Sequence, residues 1–100
     1  MKTRNDHEQA RRAYIRAERA QLIGLVATVL RSTREDQDVK QKQMGYLMDR
    51  SADVISNIEC GRTDPSMVDV LLWARQLNVD PMYVFEEILF NVRKYYRRGG

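Results

Sequence analysis

One hundred residues and 11.8 kDa make one domain, because a second hydrophobic core needs on the order of 100 residues of its own. With 43% hydrophobic and 31% charged residues, the chain buries a modest core beneath a hydrated surface. A net charge of +3 and a pI near 9.2 hint at an anionic partner, while a single cysteine, Cys60, and a single histidine, His7, exclude an internal disulfide and a zinc site.

From Asn5 to Arg34 there is no proline and one glycine, Gly24, among strong helix formers, which predicts one long helix or two nearly joined. Ala10, Ala13, Ala17, Ala20, Gly24 and Ala27 fall three and four apart. They are either a seam for a close helix neighbour or simply good helix formers. Leu22, Val26, Val29 and Leu30 form a separate stripe that suits the core, which leaves residues 1–20 as a helical extension. A polar connection, Arg34 to Asp38, leads to a helix over Val39–Met48 with Met44, Leu47 and Met48 as its apolar positions. Asp49-Arg50 reads as a turn, since Asp tolerates the left-handed region. Ser51 caps a helix Ala52–Cys60 whose inward face is Val54, Ile55 and Ile58, and Gly61 stands where a helix ends. Ser66 and Asp69 form a capping box after Pro65. That helix runs through Leu77 to stop near Asn78, with Met67, Val70, Trp73, Ala74 and Leu77 inward. Asp80-Pro81 opens the last helix, which carries Val84, Phe85, Ile88, Leu89 and Val92. Nothing alternates at period two, so the fold class is all-α.

The charges are unevenly placed. Residues 1–20 hold six basic and three acidic side chains, residues 91–100 hold four basic and no acidic ones, and the middle is formally −4. Phosphate contacts in the middle must therefore be local. The run Arg93 to Arg98 reads as a solvated tail or as one that drapes along nucleic acid. The longest apolar run, Val68 to Ala74, is broken by Asp69 and is far short of the roughly 20 residues that cross a bilayer. With no apolar leader, the chain is expected in the cytoplasm, away from membranes. His7 lies in the extension, no glycine-rich loop exists and the acidic residues are scattered. No catalytic constellation assembles, so the chain reads as a non-enzyme that needs no cofactor and no metal.

Function concentrates between Gln41 and Arg62. Two short helices joined by a tight turn, the second capped and polar on one face, are the parts of a helix-turn-helix reader of double-stranded DNA. Ile55 and Ile58 anchor the second helix, leaving Ala52, Asp53, Ser56 and Asn57 outside. Ala52 suits a thymine methyl, Asn57 an adenine edge and Asp53 the cytosine amino group. Equally, Asp53 complements the helix dipole and Asn57 is merely solvated.

The ordered run Leu30-Arg31-Ser32-Thr33-Arg34, Val39-Lys40-Gln41, Met44-Gly45, Met48, Ser51, Ile55-Ser56-Asn57-Ile58-Glu59-Cys60-Gly61-Arg62, Pro65-Ser66 and Leu71-Leu72-Trp73-Ala74 resembles the lambda-repressor/Cro-like family of the xenobiotic-response-element type. The resemblance covers about residues 22–90. It implies a compact five-helix domain over residues 21–90 that binds operator DNA as a dimer, with 91–100 as a basic tail. It also implies that Ala52, Asp53 and Asn57 read bases, that Gln41 and Arg62 contact phosphate, and that Arg34 and Glu59 form a buried ion pair. Lys40, Lys42, Ser51 and Ser56 complete the expected set of backbone contacts. The sequence departs from the family at Asp49, a usual turn glycine, at Gly45, often alanine, at Thr33, often leucine, and at Cys60, often polar. Gly45 reads as a tolerated cost of roughly 1 kcal/mol against alanine.

Val68 and Leu72, with Ile88, Leu89, Phe90 and Val92, exceed what one buried face needs and are assigned to a homodimer interface. The sequence thus predicts a transcriptional regulator, a repressor, that reads a short inverted repeat. An antitoxin that binds its own operator and also holds a toxin protein is the alternative.

Overall fold

The computed structural model describes residues 4–99; residues 1–3 of the expected extension and residue 100 of the expected tail lie outside the described residues. Among the described residues there are five α-helices and no strand: α1 Arg4–Asp36, α2 Gln41–Met48, α3 Ala52–Glu59, α4 Met67–Gln76 and α5 Pro81–Arg97. No helix among them is long and apolar enough to cross a membrane. The first helix is a single rod of 33 residues, about 50 Å long at about 1.5 Å per residue. It gives the molecule extents of 56 × 28 × 18 Å and a radius of gyration of 16.2 Å, against about 13 Å for a compact chain of this length.

Each connection between helices contains one left-handed residue: Asp38, Asp49, Gly61 and Asn78, with φ between 55° and 73°. In all four, the amide after that residue donates back to a carbonyl five positions earlier. The bonds are Val39 N to Arg34 O at 3.3 Å, Arg50 N to Gly45 O at 2.8 Å, Arg62 N to Asn57 O at 2.9 Å and Val79 N to Ala74 O at 2.9 Å. This is the Schellman closure, which satisfies otherwise orphaned carbonyls. Asp and Asn serve because their short polar side chains tolerate the left-handed region. The helix starts are equally explicit. Ser51 Oγ accepts from Val54 N, Ser66 and Asp69 form a reciprocal box, and Asp80 Oδ1 accepts from Met82 N. The second helix starts at Gln41 rather than Val39, because Lys40 is its cap residue, with an extended backbone whose amide donates to Gln43 Oε1.

The core gathers Val29 and Leu30 from α1, Met44 from α2, Ile55 and Ile58 from α3, Val70, Trp73, Ala74 and Leu77 from α4 and its end, and Val84 from α5. Trp73 spans it, donating from Nε1 to Leu30 O at 2.9 Å. Thr33 sits buried because its hydroxyl donates to Val29 O at 2.7 Å, which supplies the partner a buried hydroxyl needs. Two expected core residues are outside. Met67 is exposed at the open first turn of α4, and Val54, expected inward, is turned to the rim of α3. Neither end of the chain departs from helix at the expected boundaries. The rod passes residue 20 without a break, and α5 continues through the basic run to Arg97, antiparallel to α1, with Tyr96 OH donating to Glu18 Oε1 at 3.2 Å.

Gly45 is a requirement, not a tolerated cost. A Cβ there would lie 2.6 Å from Arg50 O and 3.3 Å from Ala52 N, so α2 meets the backbone of the turn at a distance only glycine permits. Gly45→Ala is expected to destabilise the fold by about 1 to 2 kcal/mol, because overpacking against backbone outweighs the helix-propensity gain. A lowered urea midpoint checks this, and a raised one contradicts it.

Candidate nucleic-acid interface

Helix α3 is fixed from behind by apolar and ionic contacts. Ile55, Ile58 and Glu59 are buried, and Arg34 and Glu59 are each only 7% exposed. Arg34 Nε donates to Glu59 Oε2 at 2.6 Å and Nη2 to Glu59 Oε1 at 2.9 Å, the bidentate fork that guanidinium and carboxylate favour. The remaining reach of the guanidinium is used as well: Nη1 donates to Val39 O at 2.6 Å. Hydrogen bonding to Glu59 holds the Arg34 guanidinium above its ordinary pKa, against desolvation, so the site keeps its positive charge. Gln41 adds a third donor to the carboxylate, Nε2 to Oε1 at 3.0 Å. The end of α1, the start of α2 and the end of α3 thus meet at one carboxylate.

The opposite side of α3 is uncovered. Ser51, Ala52 and Asp53 are exposed, and Ser56 and Asn57 are half-buried. Arg62, exposed just past the helix, donates from Nη1 to Asn57 Oδ1 at 3.2 Å. Because arginine only donates, this fixes which end of the Asn57 amide faces Arg62 and leaves its Nδ2 hydrogens pointing elsewhere. Lys40 and Lys42 are exposed around the start of α2. Gln41 is half-buried with one amide N–H committed to Glu59, and the second N–H remains for another acceptor. By helical spacing Ala52, Asp53, Ser56 and Asn57 fall on one side of α3, and Arg62 joins that side through Asn57. Cys60 is exposed and free at the end of α3.

The residues assigned to a protein interface divide. Val68 and Leu72 on α4, and Leu89 and Phe90 on α5, are exposed. Val92 is half-buried, and Ile88 packs against the core. Sequence reasoning missed a clearer pattern. Met82, Leu89 and Tyr96 recur every seven residues and are exposed, with Phe85 and Val92 between them half-buried. This is the a/d spacing of a coiled-coil seam, and period counting along residues 81–97 would have found it.

No protein-family profile and no curated protein match the sequence. Solved structures do match by shape. Two are of the clp gene regulator ClgR from Corynebacterium glutamicum. One has a TM-score of 0.70 at 20% identity, covering 78% of this chain and 83% of that one; the other has 0.65 at 23%, covering 70% and 91%. A third is the restriction-modification controller protein C.AhdI from Aeromonas hydrophila, with a TM-score of 0.57 at 21% identity, covering 62% and 94%. At such identities the likeness establishes the fold.

Removing one partner of the buried pair strands the other. Glu59→Ala is expected to cost on the order of 3 to 5 kcal/mol of stability, measured by urea unfolding. An unchanged midpoint would show that the carboxylate carries no structural weight.

Proposed function

We propose that this chain, which has the fold of the lambda-repressor-like helix-turn-helix regulators, is a sequence-specific double-stranded DNA-binding transcriptional regulator, a repressor that reads a short inverted repeat as a homodimer. The observation that carries the reading is the two-sidedness of α3. Its inner face is locked by Ile55, Ile58 and Glu59, while Ala52 and Asp53 are exposed and Ser56 and Asn57 half-buried on the other side, where Arg62 is the polar neighbour of Asn57. An eight-residue helix held this way fits a major groove about 12 Å wide.

The roles follow from side-chain chemistry. Ala52 meets a thymine methyl, Asp53 accepts from a cytosine amino group, and Asn57 pairs with an adenine edge, its amide oriented by Arg62. Lys40, Lys42, Ser51, Ser56, Arg62 and the free N–H of Gln41 take phosphates, fixing the register while carrying no sequence information. Rigidity matters here because bidentate base contacts demand a fixed helix. The ion network at Glu59 supplies it without using any atom on the outer face.

The homodimer rests on the a/d seam of α5, where Met82 and Leu89 are exposed while Phe85 packs against the core, Val92 is half-buried and Tyr96 bonds to Glu18 of α1, with Val68 and Leu72 exposed on the neighbouring helix. The seam has the periodicity with which one helix meets a second copy of itself, and it is apolar where a solvated helix face would be charged. A two-fold dimer presents two copies of α3 and so calls for two half-sites related by symmetry, about one duplex turn, 10 to 10.5 base pairs, apart.

Selection of bound duplexes from a random pool tests the whole reading, and recovery of a palindrome is the expected result. No enriched sequence would sink it. With a site in hand, Asn57→Ala is expected to lose about 1 to 3 kcal/mol of binding at one base position only; equal losses across all site variants would take Asn57 off the base-reading face. Sedimentation is expected to show a dimer at micromolar concentration that Leu89→Asp converts to a monomer with unchanged helix content. A wild-type monomer, free and on DNA, would remove the dimer.

A further inference from the structure

The first four turns of α1 serve no core. Residues 5–17 are exposed throughout, and the rod projects past the globular part of the molecule. The α3–α4 loop crosses the rod at Gly24, where a Cβ on Gly61 would lie 3.7 Å from the Gly24 Cα. Around that crossing, the face of α1 turned toward the domain is apolar: Val26 packs against the core, and Ile23 and Leu22 are half-buried beside Asp64 of the loop. Beyond the crossing the same face continues at helical spacing but changes chemistry. Ile15 is flanked by Arg11, Arg12, Arg16 and Arg19, which line one groove with Glu8.

We propose that this arginine face is a second duplex-DNA site, binding backbone phosphates outside the segment read by α3. The proposal rests on the DNA-reader assignment above. Four arginines lie on one face of α1, and the two glutamates nearby have partners of their own. Glu18 accepts from Tyr96 and Glu8 already has a partner. The loop that carries Arg62 meets at Gly24 the same rod that bears Arg11, Arg12, Arg16 and Arg19, and the proposal lays the flanking duplex along that rod. From Arg11 to Arg19 the face spans about 12 Å of helix, along which a duplex presents one charge per roughly 1.7 Å of axis. Arginine matches phosphate with paired N–H donors. A second copy of this chain is the poorer occupant, because symmetric approach sets arginine against arginine.

The test compares the wild type with Arg12→Gln/Arg16→Gln/Arg19→Gln and with the matching triple lysine variant. Each is titrated over a range of salt on two duplexes, one trimmed to the selected site and one extended at both ends. Glutamine keeps helix propensity close to that of arginine, and circular dichroism verifies that the rod remains. On the extended duplex the glutamine variant is expected to show a slope of log K against log salt shallower by about 2 to 3, at about 0.9 for each phosphate no longer neutralised. The lysine variant is expected to retain most of the slope, and base preference is expected to be the same in all three proteins. A glutamine variant that binds the selected site with the wild-type slope on the extended duplex overturns the inference and leaves the reader assignment standing. A change confined to oligomer mass overturns it in favour of a protein occupant. If the wild type selects no sequence, the reader assignment has failed and this inference falls with it.

Discussion

The Glu59 carboxylate is the point on which the placement of α3 depends. It accepts two hydrogen bonds from Arg34 and one from Gln41, while Arg34 also closes on Val39 O. Three helices and the connection between two of them are thus referenced to a single group. Taking two charges out of water is expensive, and such a pair adds little net stability compared with a well-packed apolar replacement. Its contribution is geometric. A bidentate fork has one good alignment, so the end of α3 has one position relative to α1.

The outer face benefits from that arrangement. Because ionic and apolar anchors all lie behind α3, nothing in front is needed to hold the helix, and the front side chains can be short and polar. Ser51 caps the helix through Val54 N, and its position at the start of the exposed face places a hydroxyl near the same surface. The Asn57–Arg62 contact couples the outer-face amide of α3 to the residue just after left-handed Gly61. That turn is itself pinned, with left-handed Gly61 resting on Gly24 of the rod. Reader, loop and rod form one connected frame, and the projecting arm inherits its direction from it.

Most of the local structure was legible because it is written in caps and breakers. Ser51, Asp49, Gly61, Ser66 with Asp69 and Asp80-Pro81 mark helix ends through short-range hydrogen bonds that depend on few neighbours. Residues facing the core followed from spacing wherever a helix has neighbours on one side only. The same spacing misplaced Val54 and Met67, which sit in the first turns of α3 and α4 and stay exposed. Gly45 was misread for a related reason: propensity counts only the helix it belongs to, whereas its role is set by the Arg50 carbonyl on the far side of a turn.

What the sequence by itself determined is the all-α class, the starts of α3, α4 and α5 and the identity of the polar edge of α3, since these follow from residues within a few positions of one another. Tertiary structure alone decided that the rod runs unbroken from Arg4 to Asp36, that the basic run before Arg98 folds back as helix along it, and that Gln41 turns partly inward to Glu59. It also decided that the arginines of the arm share a face with the core stripe. The α5 fold-back and the inward turn of Gln41 depend on contacts between residues far apart in the chain, where docking outweighs any local preference that a window of sequence can report, whereas the exposed first turns of the rod are held by their own helix-forming residues.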